Sequence, residues 1–115
     1  MEVRSALILA ALLSSCATPS AKTYRGHISI WPEVEVFTPC ESGVALWLDY
    51  DTQTREPLAK QHQELQKKPY GTTFVVLKGE VGPKLDCGFC KAYEGSFKVL
   101  GLEEHRATSS SDCKP

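Results

Sequence analysis

The sequence predicts an all-β domain with one helix: a small five-stranded Greek-key barrel in the order β-β-β-α-β-β. Three observations carry this expectation. Short segments with period-two alternation fill residues 26–48. One stretch rich in helix formers, without a β-branched residue, follows at 57–68. Two further apolar runs, separated by a loop with glycine and proline, complete the set.

Each element has its own signal. Residues 26–31 (GHISIW) alternate, with Ile28 and Ile30 on one face and His27 and Ser29 on the other. Pro32-Glu33 breaks the run. Residues 34–37 (VEVF) alternate again, Val34 and Val36 against Glu35 and Phe37. A turn is expected at Glu41-Ser42-Gly43 after Pro39-Cys40. The third strand, 44–48 (VALWL), sets Val44, Leu46 and Leu48 against Trp47. These three form an antiparallel meander. Pro57 suits a first helical turn, Glu56 favours the positive end, and Lys67-Lys68 complement the negative end. Leu58, His62 and Leu65 form one stripe with Ala59 beside it, and Pro69-Tyr70-Gly71 stops the helix. Residues 72–77 (TTFVVL) read as a strand, 82–91 as a loop, and 95–102 as the last strand with Phe97 and Val99 on one face. This order is that of the OB-fold, whose helix between strands three and four plugs one end. Closure suits so small a sheet because it removes exposed edges. Gly26, Gly71, Gly79, Gly82 and Gly95 suit its bends.

Length and composition bound the function. The 115 residues are 42% hydrophobic and 23% charged, with net charge -1. One domain is the most that fits. The composition excludes a disordered chain, a multi-pass membrane protein and a multidomain enzyme. It carries no basic footprint for nucleic acid.

The N-terminus reads as an address. Arg4 precedes an apolar run of eight, Ala6 to Leu13, too short to span a bilayer but suited to a secretory signal. Leu13-Ser14-Ser15-Cys16 then resembles the bacterial lipobox. The resemblance implies a signal peptide over 1–15, diacylglycerol on the Cys16 thiol, and an acylated new amino terminus. Ala17 in place of an aspartate implies sorting to the periplasmic face of the outer membrane. Residues 16–22 are expected to be a lipidated tether, 23–105 the barrel, and 106–115 a flexible tail.

Lipidation of Cys16 leaves four of the five cysteines, Cys40, Cys87, Cys90 and Cys113, in an oxidising compartment. We read them as structural disulfides stapling a small domain. Four cysteines allow three pairings. Cys40 with Cys87 or Cys90 is expected, because that closes a long loop between separated strands. Two other readings of Cys87-Gly88-Phe89-Cys90 are weaker. A redox pair would need a helix start or cations to lower a thiol pKa. A copper or zinc knuckle on Cys87 and Cys90 would need a companion pair of ligands. No metal or other cofactor is expected.

Trp31, Trp47, Tyr70 and Tyr93 are candidates for an aromatic ligand face, since OB barrels bind oligosaccharides across one face and its loops. His62, on the helix stripe, reads as a packing residue. Asp49, Asp51 and Glu56 read as capping or solvated carboxylates. No serine sits on a nucleophile elbow, so no catalytic residue is assigned and the chain is not expected to be an enzyme.

Several segments fall in the order seen in one family: Tyr24-Arg25-Gly26, Phe37-Thr38-Pro39-Cys40, the Trp47 strand, residues 74–83 (FVVLKGEVGP) and residues 92–99 (AYEGSFKV). Over residues 23–104 the chain resembles the C-terminal OB-fold domain of NlpE-type envelope lipoproteins. That resemblance implies an outer-membrane lipoprotein with an envelope protein partner, acting as a sensing module in envelope stress or copper tolerance. A periplasmic binder of metal or oligosaccharide is the alternative.

Overall fold

A computed structural model describes residues 21–115. The signal segment 1–15, Cys16 and most of the tether lie outside the described residues. The elements are β1 (Lys22–Trp31), β2 (Val34–Pro39), β3 (Leu46–Asp49), α1 (Thr52–Leu65), β4 (Thr73–Gly82), a 3-10 turn (Phe89–Ala92) and β5 (Ser96–Arg106). The chain is therefore mostly strand with one α-helix among the described residues, in the expected order.

The five strands make one mixed sheet. β1 pairs antiparallel with β2 and β4, β2 with β3, and β4 with β5. β3 and β5 run parallel, with Trp47 opposite Ser96 and Leu48 opposite Phe97. Each strand has two neighbours, so the pairings form a circuit, β1-β2-β3-β5-β4 and back to β1. The β3–β5 closure is short, three residue pairs, so β5 beyond Lys98 pairs with β4 alone. Two register shifts, between Val76 and Leu77 and between Lys78 and Gly79, bend β5 against β4. That bend lets one strand serve both β4 and the short β3.

The interior follows the alternation. Ile28, Ile30, Phe37, Leu46, Leu48, Val75, Leu77, Phe97 and Val99 form one buried cluster, and Leu58 of α1 joins it. Its centre is aromatic. The rings of Phe37 and Phe97 lie 4.8 Å apart, and Tyr24 meets Phe97 edge-on at 5.1 Å. Two glycines admit these rings. A Cβ at Gly26 would meet the Phe37 ring at 2.8 Å, and one at Gly79 would meet the Phe97 ring at 2.6 Å. The Thr38 and Lys98 carbonyls press on the same two sites. Close backbone approach thus requires glycine at both.

The helix departs from expectation at its start. It begins at Thr52, capped by Asp51, whose Oδ1 accepts from Thr54 N–H at 2.8 Å. Pro57 lies inside the helix, not in its first turn. Gln53 and Pro57 both face solvent, so the carbonyl that Pro57 cannot serve meets water. The helix ends at Leu65, before Lys67-Lys68. Leu58 and His62 are buried on the expected stripe.

The C-terminal expectation is corrected. β5 reaches Arg106, and residues 107–115 fold back rather than hang loose. Asp112 is 4% exposed. Its Oδ1 accepts from Arg106 Nη1 at 2.7 Å and Ser109 Oγ at 2.9 Å. Its Oδ2 accepts from His27 Nε2 at 2.9 Å and Ser109 N–H at 2.8 Å. Arg25 donates to its backbone carbonyl at 3.2 Å. The Arg106 guanidinium also lies 4.1 Å over the Phe74 ring. The small polar run hides this fold-back, because its one buried carboxylate has partners distant in sequence.

Replacing Gly79 by Ala is expected to cost about 1–3 kcal/mol, because neither the Phe97 ring nor the Lys98 carbonyl can yield freely. Gly88→Ala, where nothing lies within 4 Å, is expected to be near neutral. Urea denaturation of the two variants checks the contrast.

Candidate functional site

The candidate site is a cleft of about 880 Å³ where β1 ends beside α1. Trp31 closes β1, Pro32 starts the turn into β2, and Pro69 and Tyr70 link α1 to β4. The Trp31 and Tyr70 rings lie 4.9 Å apart at 60°. Tyr70 is 70% exposed. From α1 come Arg55, Glu56, Lys60 and Gln63, and Gln66 caps its end.

The backbone at this cleft is strained. Among the described residues, only Glu33 (φ 75°) and Tyr70 (φ 60°) combine a side chain with left-handed backbone. Glu33 follows Pro32 in the β1–β2 turn, where glycine or asparagine would be the easy choice. Tyr70 follows Pro69, and Gly71 N–H then bonds the Lys68 carbonyl at 3.1 Å. Each side chain in that region costs about 1–2 kcal/mol. Strain of this kind is usually retained where a side chain is needed.

Charge in the cleft is largely cancelled. Glu35 Oε1 accepts from Tyr50 Oη at 2.7 Å and from Arg55 Nε at 2.9 Å. Arg55 Nη1 also meets Glu56 at 3.3 Å. Burial, then the Glu35 carboxylate, push the Tyr50 hydroxyl well above the usual phenol range. These bonds fix the start of α1 against β2. Among the described residues, the side chains of Lys60, Gln63 and Gln66 make no intramolecular hydrogen bond.

The four aromatic candidates do not share one face. Trp47 and Tyr93 form a second pair, with centroids 5.6 Å apart, where β3 meets the loop before β5. Neither lines the Trp31–Tyr70 cleft. The single ligand face expected from sequence therefore separates into two pairs, and only Trp31–Tyr70 borders the large cleft. Sequence reading missed Lys60, Gln63 and Gln66. The signal was present for Lys60 and Gln63, which sit on the helix side away from Leu58 and His62, but not for Gln66, the C-cap.

The cysteine pairing is also corrected. Cys40 bonds Cys113, and Cys87 bonds Cys90. Cys40 sits at the end of β2, its N–H donating to the Arg25 carbonyl at 2.8 Å, on the side to which Asp112 ties the returning tail. Cys113 is thereby delivered to Cys40, while Cys87 and Cys90 close a ring within one loop. Cys90 is fully buried and Phe89 is 57% exposed. The metal-knuckle alternative on Cys87 and Cys90 meets a sulfur pair already joined to each other. Among the described residues, no group of three or more His, Cys, Asp and Glu could hold a metal ion.

A second polar system lies between α1, β4 and β5. Thr73 Oγ1 stands 2.8 Å from both His62 Nδ1 and His105 Nε2, and His105 Nδ1 meets Gln61 Oε1 at 2.9 Å. With the Gln61 carbonyl accepting from His105, Thr73 donates to His105 and accepts from His62 Nδ1–H. The buried His62 Nε2 is left without a hydrogen-bond partner. Burial pushes His62 below its ordinary value, the Gly71 carbonyl opposing it. Burial, with His62 nearby, pushes His105 down to about 4. His62 is thus a packing residue, as its place on the stripe suggested, and both rings are held neutral.

Comparison with protein-family models, with curated proteins and with solved structures finds no match to this chain. Among the described residues, no helix is long and apolar enough to cross a membrane.

Two predictions follow from these networks. The Cys40–Cys113 bond spans 73 residues and Cys87–Cys90 spans 3. Cys113→Ser should lower stability by about 2–4 kcal/mol, and Cys87→Ser with Cys90→Ser by less, as read by denaturant midpoints. The lowered histidines mean that the unfolded chain binds more protons below about pH 6.5. Stability should be full above that pH and fall toward pH 4. A second fall below the usual carboxylate value of 3.8 follows from Asp112: burial opposes its ionisation, but Ser109, His27 and Arg106 outweigh it and hold its pKa low. Thermal melts across this range, repeated for His105→Gln, should show a smaller upper phase, with the His62 share kept, and an unchanged lower one.

Proposed function

We propose that the protein is a lipid-anchored, non-catalytic OB-type module on the periplasmic face of a bacterial outer membrane, working by binding a partner in the envelope. The OB assignment is supported by the circuit β1-β2-β3-β5-β4, by its parallel β3–β5 closure, and by α1 between β3 and β4. Anchorage is supported by the apolar run before Leu13-Ser14-Ser15-Cys16. The binding role rests on one observation above all: Tyr70 is held exposed in a strained backbone against Trp31, at the mouth of a cleft of about 880 Å³.

The resemblance of residues 23–104 to the C-terminal domain of NlpE-type lipoproteins supports a place in envelope sensing. A metal-binding role has less support, because all four cysteines of the described residues are paired with each other.

Growth in labelled palmitate followed by membrane fractionation tests the anchor. The chain should carry label in the outer-membrane fraction, lose it in Cys16→Ser, and have an intact mass corresponding to cleavage before Cys16 with two disulfides. An unlabelled chain that retains residues 1–15 would overturn the anchor. An envelope-stress reporter tests the sensing role: output should change on expression of the native chain and less with Tyr70→Asn at equal abundance. Equal outputs would overturn a role for the cleft.

A further inference from the structure

We propose that the Trp31–Tyr70 cleft is a binding site for a neutral oligosaccharide, with the two rings as a stacking platform and Gln63, Gln66 and Lys60 as hydroxyl or acetamido partners. This rests on the reading of the chain as a binding module and names the ligand class of that same site.

Four observations select this ligand. The first is size: about 880 Å³ is a full ligand cleft rather than a crevice between side chains. Second, the apolar lining includes two aromatic rings, Tyr70 exposed and Trp31 half-buried. A sugar ring presents a face of C–H bonds that packs on an aromatic plane, and Trp31 and Tyr70 set two such planes at 60°. Third, the polar contribution is amide-rich and available. Gln63 and Gln66 lie three apart at the end of α1, so both project toward one side. Side-chain amides both donate and accept, which is what sugar hydroxyls and acetamido groups demand. Fourth, the field is weak. Arg55 is bonded to Glu35 and Glu56, leaving Lys60 as the other lining cation. A polyanion or an anionic membrane surface would call for an uncompensated cluster.

Strand addition runs a peptide along a sheet edge, and most of this cleft's lining comes instead from α1 and the α1–β4 link. The cleft also lies beside α1 and the α1–β4 link, so it is built largely by the helix side chains rather than by the faces of β2 and β3.

The strain at Tyr70 gives the test its discrimination. Asparagine suits left-handed backbone better than tyrosine. Tyr70→Asn should therefore keep or raise the melting temperature while removing the ring. The chain has two tryptophans, so Trp47→Phe leaves Trp31 as the sole indole reporter. The full chain, oxidised and in detergent, is titrated with a tetramer of β-1,4-linked N-acetylglucosamine while Trp31 fluorescence is recorded. A saturable change is expected below about 10 mM. Tyr70→Asn should weaken it by roughly tenfold or more, and Gln63→Ala with Gln66→Ala by several-fold, with little dependence on salt. Three results would overturn the proposal: no saturation with the folded protein, undiminished affinity in Tyr70→Asn, or saturation by a proline-rich peptide in place of the sugar. Because labelling at Cys16 and the stress reporter do not use the sugar, failure here leaves the anchored-module reading separately testable.

Discussion

The structure depends on two phenylalanine rings lying over two glycines. Phe37 from β2 and Phe97 from β5 meet at the centre of the sheet, and Gly26 and Gly79 leave the space they fill. The pair joins the strand that follows β1 to the strand that closes the circuit. It therefore couples the local meander to the long-range parallel pairing of β3 and β5. Local contacts cannot supply that coupling, because β3 and β5 are separated by the helix and β4. Glycine also weakens a strand by itself. The aromatic cover recovers buried area at the points where the backbone must coil most.

Around this centre the fold is tied at three places. At the helix start, Glu35 holds both Tyr50 and Arg55, so α1 is set against β2 as well as packed by its stripe. Across the helix, Thr73 joins His62 to His105 and so fastens α1 to β4 and β5. At the chain end, Asp112 gathers His27, Arg106 and Ser109, and the Cys40–Cys113 bond makes that return covalent. The last two ties respond to different acid ranges, since one depends on neutral imidazoles and the other on an ionised carboxylate. The Cys87–Cys90 ring belongs to none of these ties. It shapes one loop, which explains how two disulfides in one small domain can differ so much in structural weight.

Much of this was legible in the residues. Period-two alternation placed Ile28, Ile30, Leu46, Leu48, Phe97 and Val99 correctly in the core, and the helix stripe placed Leu58 and His62. What escaped depended on partners distant in the chain. Asp112 looks like a polar tail residue until β1 and β5 bring His27 and Arg106 to it. Cys113 looked unpaired with Cys40 for the same reason. At the helix start Pro57 is the stronger local signal, whereas the Asp51 cap acts earlier and Pro57 is tolerated on the solvent side. Trp31 and Tyr70 were visible as candidates, but their union was not. It needs the β1 end and the α1–β4 link to meet, and no periodicity encodes that. The left-handed backbone at Tyr70 was equally hidden, although Pro69-Tyr70-Gly71 was readable as a helix stop.

The cleft lies where α1, running from β3 to β4, packs beside the end of β1. The short β3–β5 pairing closes the sheet. Native-state amide hydrogen exchange measures that closure directly. Amides in the β3–β5 register, Leu48 opposite Phe97 and Asp49 opposite Lys98, should open only with global unfolding and so be protected as strongly as the β1–β4 amides of Val75 and Leu77. Exchange of the β3–β5 amides at loop-like rates, with β1–β4 still protected, would show an open sheet and contradict the account.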